Sequence, residues 1–238
     1  MDDSKKAGDG TAFERYLTPV AVVVGALIIA GAFAFGQGSK PSLDNGDGQA
    51  AQVDIKNVKT ENAPFIGDPS APVVVAVWFD YQCPFCKQLE LNVMSQVIEQ
   101  YVATGKVKVV FKDFQFLGDD SQVAAEFARA MWELYPGKFH EWYKAMFVAQ
   151  DDEGDRGFGD LDSIKVLTAK IEGVDVDKVV ALMNEKKAQY DAAIAADRAE
   201  GQSLGINGTP AVVVGTTLLS GAQPFTTIAP LIDAELAK

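Results

Sequence analysis

Two cysteines, Cys83 and Cys86, are the only thiols in the 238-residue chain, and they stand three positions apart. A continuous apolar run at residues 73–77 leads into this motif and is typical of a buried strand. A helical pattern over residues 87–104 leads out of it. Two thiols at a strand-to-helix junction can close and open an intramolecular disulfide, and the motif therefore predicts a redox-active dithiol.

The residue types in the motif assign a role to each thiol. Pro84 suits the first helical position, because its ring presets φ and its missing N–H would have no partner there. Cys83 then lies at the helix N-terminus, where free N–H groups and the helix dipole favour a thiolate. Cys86 lies one turn on, on the same face, and can attack a mixed disulfide at Cys83. We therefore predict that Cys83 is the nucleophile and Cys86 the resolving thiol.

Other chemistry is less well supported for this pair. A structural zinc site needs about four ligands, and the chain offers two cysteines and one histidine. A purely structural disulfide across so short a loop would constrain the unfolded chain little. Binding of a soft metal such as Cu(I) by the two thiolates stays open as an alternative. Thiol–disulfide exchange itself needs no organic cofactor or metal, and we expect none.

Composition narrows the classes of partner. The formal net charge of −12 argues against nucleic acid, whose binding proteins are usually basic. Hydrophobic residues make up 48% of the chain, which is enough for a sizeable core. Because both cysteines belong to one motif, there is no disulfide framework, and the cellular compartment has to be inferred from targeting signals.

The N-terminal segment predicts attachment to a membrane. Residues 17–36 are uncharged and strongly apolar, long enough for a transmembrane helix of about 20 residues. By the positive-inside rule, the basic residues before this stretch place residues 1–16 in the cytoplasm and the catalytic part outside; they are Lys5, Lys6 and Arg15. The alternative is a cleaved signal peptide, with Ala-Phe-Ala at 32–34 as the cleavage site. We favour an uncleaved signal-anchor, because the leader and the apolar run are both long for a signal peptide.

A tether and one folded domain follow the apolar stretch. Residues 37–57 are rich in Gly, Ser, Asp and Asn and predict a flexible tether, and residues 58–238 predict the domain. A short strand is expected somewhere within residues 53–66. The remaining periodicities predict strand, helix and parallel strand, then a helical insert, then two strands and a helix: strands at 73–80, 107–114, 211–214 and 217–220, the insert at about 119–204, and the last helix at 226–237.

Three features together resemble one family. They are the order of elements, the Cys-Pro-Phe-Cys motif at 83–86, and Gly-Ile-Asn-Gly-Thr-Pro at 205–210. They resemble the DsbA-like branch of the thioredoxin superfamily, and residues 80–86 look like the membrane-anchored bacterial members. The resemblance implies an α/β, thioredoxin-like fold with a central mixed sheet and a helical insertion, preceded by one transmembrane helix. It also implies a cis Thr209–Pro210 bond that faces the dithiol, where Thr209 and Pro210 would contact substrate.

The chain departs from the family between its cysteines, where Pro84 and Phe85 replace the Pro-His of the best-known DsbA oxidases. A histidine there can stabilise the thiolate by charge, and Phe85 cannot. We therefore expect a less extreme oxidant, because thiol pKa values set both the rate and the reduction potential. If Phe85 leaves Cys83 near its ordinary pKa, reduction or isomerisation of disulfides becomes the better alternative.

These observations predict a membrane-tethered, extracytoplasmic thiol–disulfide oxidoreductase. Its expected role is that of a dithiol oxidase acting on exported proteins with reduced cysteines. The resemblance implies reoxidation by a membrane partner of the DsbB or VKOR type. The alternatives are a disulfide reductase or isomerase, and a Cu(I)-handling protein.

Several other residues have weaker signals. Asp80 either takes a proton near Cys86 or caps the strand–helix turn, and the sequence favours neither. His140 is expected at the surface or rim, whereas Trp78 and the aromatic residues within 139–147 are expected in the core. Four acidic residues faintly resemble a calcium loop, but Arg156 stands where that loop requires glycine, and we expect an acidic surface loop: Asp151, Glu153, Asp155 and Asp162.

Overall fold

The computed structural model of the protein describes residues 51–151 and 157–238. The predicted cytoplasmic tail, the predicted transmembrane segment and residues 37–50 of the predicted tether lie outside the described residues. No helix within residues 51–151 and 157–238 is both long enough and apolar enough to cross a membrane.

A six-stranded mixed sheet forms the centre of the fold. Its order is β1-β6-β5-β3-β4-β2, with strands β1 Ala51–Gln52, β2 Phe65–Ile66, β3 Val73–Phe79, β4 Val107–Asp113, β5 Ala211–Val214 and β6 Thr217–Ser220. The two long central strands pair in parallel, with Val73 opposite Val107, and the other pairs are antiparallel. This confirms the predicted mixed sheet and the predicted strand–helix–strand crossover.

The domain begins earlier in the chain than the tether prediction placed it. Strand β1 pairs with β6 at the sheet edge, with Ala51 opposite Leu218. Val53 is buried in the core, and Ile55–Asn57 is a 3₁₀ turn capped by the side chain of Asp54. The tether prediction is therefore wrong for residues 51–57. A two-residue strand has no period to detect, since it depends on pairing with a partner distant in sequence.

Seven helices lie in the described part of the chain. Helix α1 starts as Pro84–Leu89 and continues through π-helical turns, Glu90–Met94 and Ile98–Val102, that flank Ser95–Val97. The others are α2 Asp119–Leu134, α3 Phe139–Ala149, α4 Leu161–Thr168, α5 Val176–Glu185, α6 Lys187–Ser203 and α7 Phe225–Leu236. Helices α2 to α6 are the predicted helical insert. The π-helical turns were not predicted, because the apolar stripe of α1 has an ordinary helical period.

Aromatic side chains join the insert to the sheet. The ring centroid of Tyr143 lies 5.2 Å from that of Phe79 and 4.4 Å from that of Phe111. The prediction that the aromatic residues of 139–147 belong to the core is confirmed, since each of them is buried. Trp78 is also buried, as predicted, and its indole N–H donates to the Asp197 carbonyl at 3.1 Å.

A buried ion network also fastens the insert to the sheet. Arg129 of α2 contacts the carboxylates of Asp113 and Asp197, each at 2.7 Å. Lys112 of β4 pairs with Asp197 and, at 3.0 Å, with Glu200 of α6. Two cations and three anions thus neutralise most of one another's charge. Such a network holds α2 and α6 in one register against β4. Removal of one charged side chain leaves the remaining buried charges without a counter-charge.

We expect Asp197→Ala to destabilise the protein by about 3–5 kcal/mol, because it leaves buried Lys112 and Arg129 short of a counter-charge. Urea unfolding gives the free energy of unfolding. The matched control is Asp177→Ala, which removes an exposed carboxylate from α5 and should change this quantity little. Equal unfolding midpoints for the two variants would contradict this account of the network.

Candidate active site

Asp80 fixes the turn between strand β3 and helix α1. Its buried carboxylate accepts hydrogen bonds from the backbone N–H groups of Gln82 at 2.9 Å, Phe116 at 2.9 Å and Leu117 at 3.3 Å, and from the Ser121 hydroxyl. Burial raises the pKa of Asp80, and these donors oppose that rise. Both carboxylate oxygens are occupied by donors from the turn and the following loop. Of the two predicted roles, this geometry favours the cap.

The turn places Cys83 at the start of α1, with Pro84 as the first helical residue. The Cys83 carbonyl accepts the N–H groups of Cys86 at 3.0 Å and Lys87 at 3.1 Å, so the first helical turn is closed. Both cysteines are in the reduced form. The Cys83 thiol donates to the carbonyl of Thr209 at 3.4 Å, and the Thr209–Pro210 bond is cis, as the resemblance implied. The structure thus brings the predicted dithiol and the predicted Thr-Pro loop together.

The two sulfurs have opposite electrostatic environments. The pKa of Cys83 is lowered from 9.0 to about 6, chiefly by a hydrogen bond from the Cys86 thiol. Burial opposes this lowering of the pKa. The Thr209 side chain and the backbone N–H groups of Cys86 and Phe85 lower the pKa further. Burial, and next the hydrogen bond to Cys83, raise the pKa of Cys86 well above 9.0. Cys83 is therefore largely thiolate at neutral pH, and Cys86 remains a thiol that donates to it.

This result bears on the Pro-Phe dipeptide. The sequence left open whether Cys83 would have a pKa near its ordinary value, because Phe85 cannot stabilise the thiolate by charge. The structure supplies neutral donors instead, from the helix start and from Thr209. Phe85 contributes its backbone N–H, while its side chain is 58% exposed. Hydrogen bonds to the charged form of a thiol lower its pKa without any formal charge nearby.

Large apolar side chains are exposed on three segments that contribute to the active-site turn. Besides Phe85, the exposed fraction is 45% for Phe116 and 60% for Val148. Phe116 follows β4 and is fixed to Asp80 through its N–H. Val148 lies at the end of α3, two residues before Gln150, whose side chain contacts the Cys83 carbonyl. Exposed large apolar groups on segments joined to one turn are suited to contact with an apolar partner.

Gln150 is a site residue that the sequence did not reveal. Its buried side-chain amide donates to the carbonyls of Tyr81 at 2.7 Å and Cys83 at 3.2 Å. The backbone carbonyl of Gln150 accepts a hydrogen bond from the Lys87 ammonium at 2.5 Å. The end of helix α3 is therefore fastened to the backbone of the active-site turn. Gln150 lies 67 positions from Cys83 in the chain, and no local pattern marks such a contact.

The weaker predictions have mixed outcomes. His140 lies at the rim, as predicted, with a side chain that is 35% exposed. Asp151 accepts the Phe158 N–H at 3.1 Å, and Asp162 pairs with Lys165 at 3.1 Å; Glu153 and Asp155 lie outside the described residues. Residues 51–151 and 157–238 contain no cluster of three or more His, Cys, Asp or Glu side chains that could hold a metal ion.

A dithiol at a helix start, opposite a Thr–cis-Pro loop on a mixed sheet, defines a thiol–disulfide oxidoreductase with a thioredoxin-like fold. The family model described as Thioredoxin matches residues 59–234. The chain therefore belongs to the thioredoxin family. Within that family it is a DsbA-like thiol–disulfide oxidoreductase, as the relatives and solved structures below indicate.

The similar proteins include disulfide-forming proteins. The chain is 28% identical over 174 residues to the probable disulfide bond formation protein D of Bacillus anthracis. The matched region covers 73% of this chain and 78% of that protein. Its fold resembles the crystal structure of oxidised BdbD from Bacillus subtilis, with a TM-score of 0.69, 22% identity, and coverage of 81% of this chain and 100% of that one. It also resembles the thiol–disulfide exchange protein α-DsbA2 from Wolbachia pipientis, with a TM-score of 0.65, 24% identity, and coverage of 75% and 90%.

We expect the alkylation rate of the reduced protein to follow a single titration near pH 6, because the reactive species is the Cys83 thiolate. Cys86→Ala should raise this midpoint by about one unit or more, since it removes the strongest hydrogen bond to that thiolate. Iodoacetamide labelling followed by mass spectrometry measures the profile. An unshifted midpoint in Cys86→Ala would show that the helix start alone sets the pKa.

We expect Gln150→Leu to lower the free energy of unfolding by about 1–3 kcal/mol, because it leaves the buried Tyr81 carbonyl without its donor. Urea unfolding measures this loss. Gln88→Leu makes the same exchange at an exposed position of α1 and serves as the matched control. Indistinguishable unfolding free energies for the two variants would contradict the role assigned to the Gln150 amide.

Proposed function

We propose that the protein is an extracytoplasmic dithiol oxidase that introduces disulfides into exported, cysteine-containing proteins. The observation that carries this proposal is the low pKa of Cys83, about 6, beside a Cys86 thiol whose pKa is well above 9.0. A stabilised thiolate favours the reduced enzyme, and so makes the disulfide form a better oxidant. The names of the similar Bacillus proteins refer to disulfide bond formation and also support oxidation of substrate thiols.

The proposed reaction consists of two exchanges. A substrate thiolate attacks Sγ of Cys83 in the Cys83–Cys86 disulfide, and Sγ of Cys86 leaves with the electron pair of the broken bond. A second substrate thiolate then attacks the substrate sulfur of this mixed disulfide. Cys83 leaves as a thiolate, which its hydrogen-bond donors stabilise, and the substrate departs with a new disulfide. The substrate is oxidised by two electrons, and the enzyme is reduced by two.

The surroundings of Cys83 suit an unfolded substrate. Phe85, Phe116 and Val148 expose apolar area on segments joined to the active-site turn, and incompletely folded proteins carry apolar side chains that are not yet buried. In the proposal, Thr209 and Pro210 hold the substrate backbone close to the disulfide. Pro84, Phe85 and Asp80 shape the turn that presents Cys83.

The proposed location is based on the sequence of the N-terminal segment. Residues 17–36 would hold the domain at the membrane, with residues 1–16 in the cytoplasm and the active site outside. A reduced enzyme in that position needs a reoxidant. A quinone-linked membrane protein of the DsbB or VKOR type is the partner that the family resemblance supports, because it would regenerate the disulfide beside the membrane.

We expect the Cys83–Cys86 couple to have a reduction potential between the about −120 mV of DsbA and the about −200 mV of the most oxidising glutaredoxins. Neutral hydrogen bonds lower the pKa of Cys83, but no histidine charge adds to them. Equilibration with glutathione redox buffers, followed by thiol trapping, measures the potential. A value near the about −270 mV of thioredoxin would favour the reductase alternative instead.

A kinetic assay tests whether the protein oxidises substrate thiols. The oxidised protein should introduce a disulfide into a reduced two-cysteine peptide in a single turnover, and Cys83→Ser should abolish this. Cys86→Ser should instead accumulate the mixed disulfide between Cys83 and a peptide that carries an activated disulfide, since the resolving thiol is missing. Tight Cu(I) binding by a protein without any peptide oxidation would favour the copper alternative.

A further inference from the structure

An Asn-Gly pair is exposed in the loop between helix α6 and strand β5. Asn207 and Gly208 are both exposed, whereas Ile206 before them is buried and Pro210 after them is buried. An asparagine that precedes glycine loses its side-chain amide readily, because the glycine nitrogen has no neighbouring Cβ and can approach the side-chain carbonyl carbon closely. The pair is therefore a candidate for chemical modification beside the active site.

Neither backbone conformation nor space requires a glycine at position 208. Gly205 in the same loop has a φ of +84°, in the left-handed region, but Gly208 has no positive φ. A Cβ placed on Gly208 would meet no atom within 4 Å. A tight Asn-Gly hairpin turn needs positive φ at both residues, and Asn207 has no positive φ either. The loop would therefore accept an alanine at position 208 in its present conformation.

The groups that would react are held weakly. The side-chain amide of Asn207 donates to the Gly205 carbonyl at 3.1 Å, and an exposed hydrogen bond of this kind exchanges readily with water. The backbone N–H of Gly208 makes no hydrogen bond to the described part of the chain. Water reaches both groups, because both residues are exposed. The Asn207 side chain can therefore rotate until its carbonyl carbon faces the Gly208 nitrogen.

We propose that Asn207 is a site of spontaneous deamidation and that the acidic product weakens the Cys83–Cys86 disulfide as an oxidant. The second part of this inference rests on the proposed function and adds a slow, one-way regulation of the same site.

The proposed reaction consumes water and transfers no electrons. Hydroxide removes the proton of the Gly208 N–H, and the nitrogen attacks Cγ of Asn207. The bond from Cγ to Nδ2 then breaks, and ammonia leaves with a proton taken from water, which restores the hydroxide. Water opens the resulting cyclic imide at either carbonyl. Opening at Cγ leaves aspartate, whereas opening at the main-chain carbonyl leaves isoaspartate, in which the backbone continues through the former side chain.

Either product places a negative charge near the Cys83 thiolate. Residues two positions apart are separated by at most about 7 Å, so a carboxylate at position 207 lies close to Thr209. The Thr209 carbonyl is 3.4 Å from the Cys83 sulfur. A negative charge at this range is only partly screened by salt, and it disfavours a second negative charge on the sulfur. A less stable thiolate makes the reduced enzyme less favourable and the disulfide a weaker oxidant.

Isoaspartate would also lengthen the backbone between two fixed points. The N–H of Ile206 donates to a carbonyl of helix α6 at 2.9 Å, and the carbonyl of Pro210 accepts an N–H from the residue after β6 at 2.8 Å. Both residues are buried, so neither end of the loop can absorb an additional main-chain atom without loss of packing. The segment between them must shift, and with it the Thr209 carbonyl that contacts Cys83.

Peptide mapping of aged protein tests the modification. The full chain is kept at mildly alkaline pH and physiological temperature, digested, and analysed by mass spectrometry with chromatographic separation of the isoaspartyl peptide. Asn207 should lose its amide, whereas Asn57 and Asn62, which are also exposed but precede residues that carry a side chain, should keep theirs. Gly208→Ala should slow the loss at Asn207 by about tenfold or more, because its Cβ hinders approach of the nitrogen. Conversion of Asn207 no faster than that of Asn57 and Asn62 would refute the proposed site.

The iodoacetamide profile of Cys83 tests the consequence. Conversion of Asn207 should raise the midpoint of this profile by about half a pH unit or more, because the new carboxylate disfavours the thiolate. Freshly prepared Asn207→Asp should shift the midpoint in the same direction. Asn207→Gln keeps an amide but cannot form the same ring, so it is the matched control, and its fresh and aged profiles should coincide. Equal midpoints in fresh and fully converted natural protein would overturn the proposed effect.

The reduction potential separates this inference from the proposed function. Equilibration with glutathione buffers should give a lower potential for the Cys83–Cys86 couple after conversion than before, and no difference would contradict the inference. If fresh natural protein fails to oxidise a reduced two-cysteine peptide, the proposed function fails instead. The peptide map, the alkylation midpoint and the potential still decide the inference in that case, because none of them depends on a protein substrate.

Discussion

The structure depends on how the charge of one sulfur is stabilised. Burial disfavours a thiolate at Cys83, yet its pKa falls to about 6 because several donors converge on it. One donor is the Cys86 thiol, others are backbone N–H groups at the start of α1, and another comes from Thr209 in the loop before β5. These donors belong to segments that meet only when the sheet is complete. The rest of the fold can be understood as the scaffold that keeps them within hydrogen-bond distance.

That scaffold pairs its buried charges, with one exception. Asp80 is saturated by donors from its own turn and the next loop, and Lys112, Arg129 and their acidic partners form a network between β4, α2 and α6. Glu90 is the exception among the buried charged side chains of the described ranges, since one oxygen has no partner. Buried acids elsewhere fix the geometry, whereas this one remains free to titrate. The donors around Asp80 give that carboxylate a positional role at the active-site turn.

Much of the fold could be predicted because its signals are local. The apolar run before Cys83 and the helical period after it lie within about 30 residues, and they fix β3, α1 and the parallel strand β4. The helical insert and the hairpin of β5 and β6 also follow from periodicity. Strand β1 was missed because two residues carry no period, and their order comes from pairing with Leu218 and Thr217. The π-helical turns of α1 were missed because the apolar stripe does not record them.

The sequence by itself determined the chemistry of the site: two thiols at the start of a helix, a Thr-Pro loop matched by resemblance, and an α/β order that can bring them together. Only the tertiary structure decided how acidic Cys83 is, that Gln150 donates to the Cys83 carbonyl, and that Glu90 lies 3.9 Å from His140. The physical reason is that a pKa depends on burial and on donors contributed through space. Gln150 lies 67 positions from Cys83 and Thr209 lies 126, so no local pattern encodes either contact.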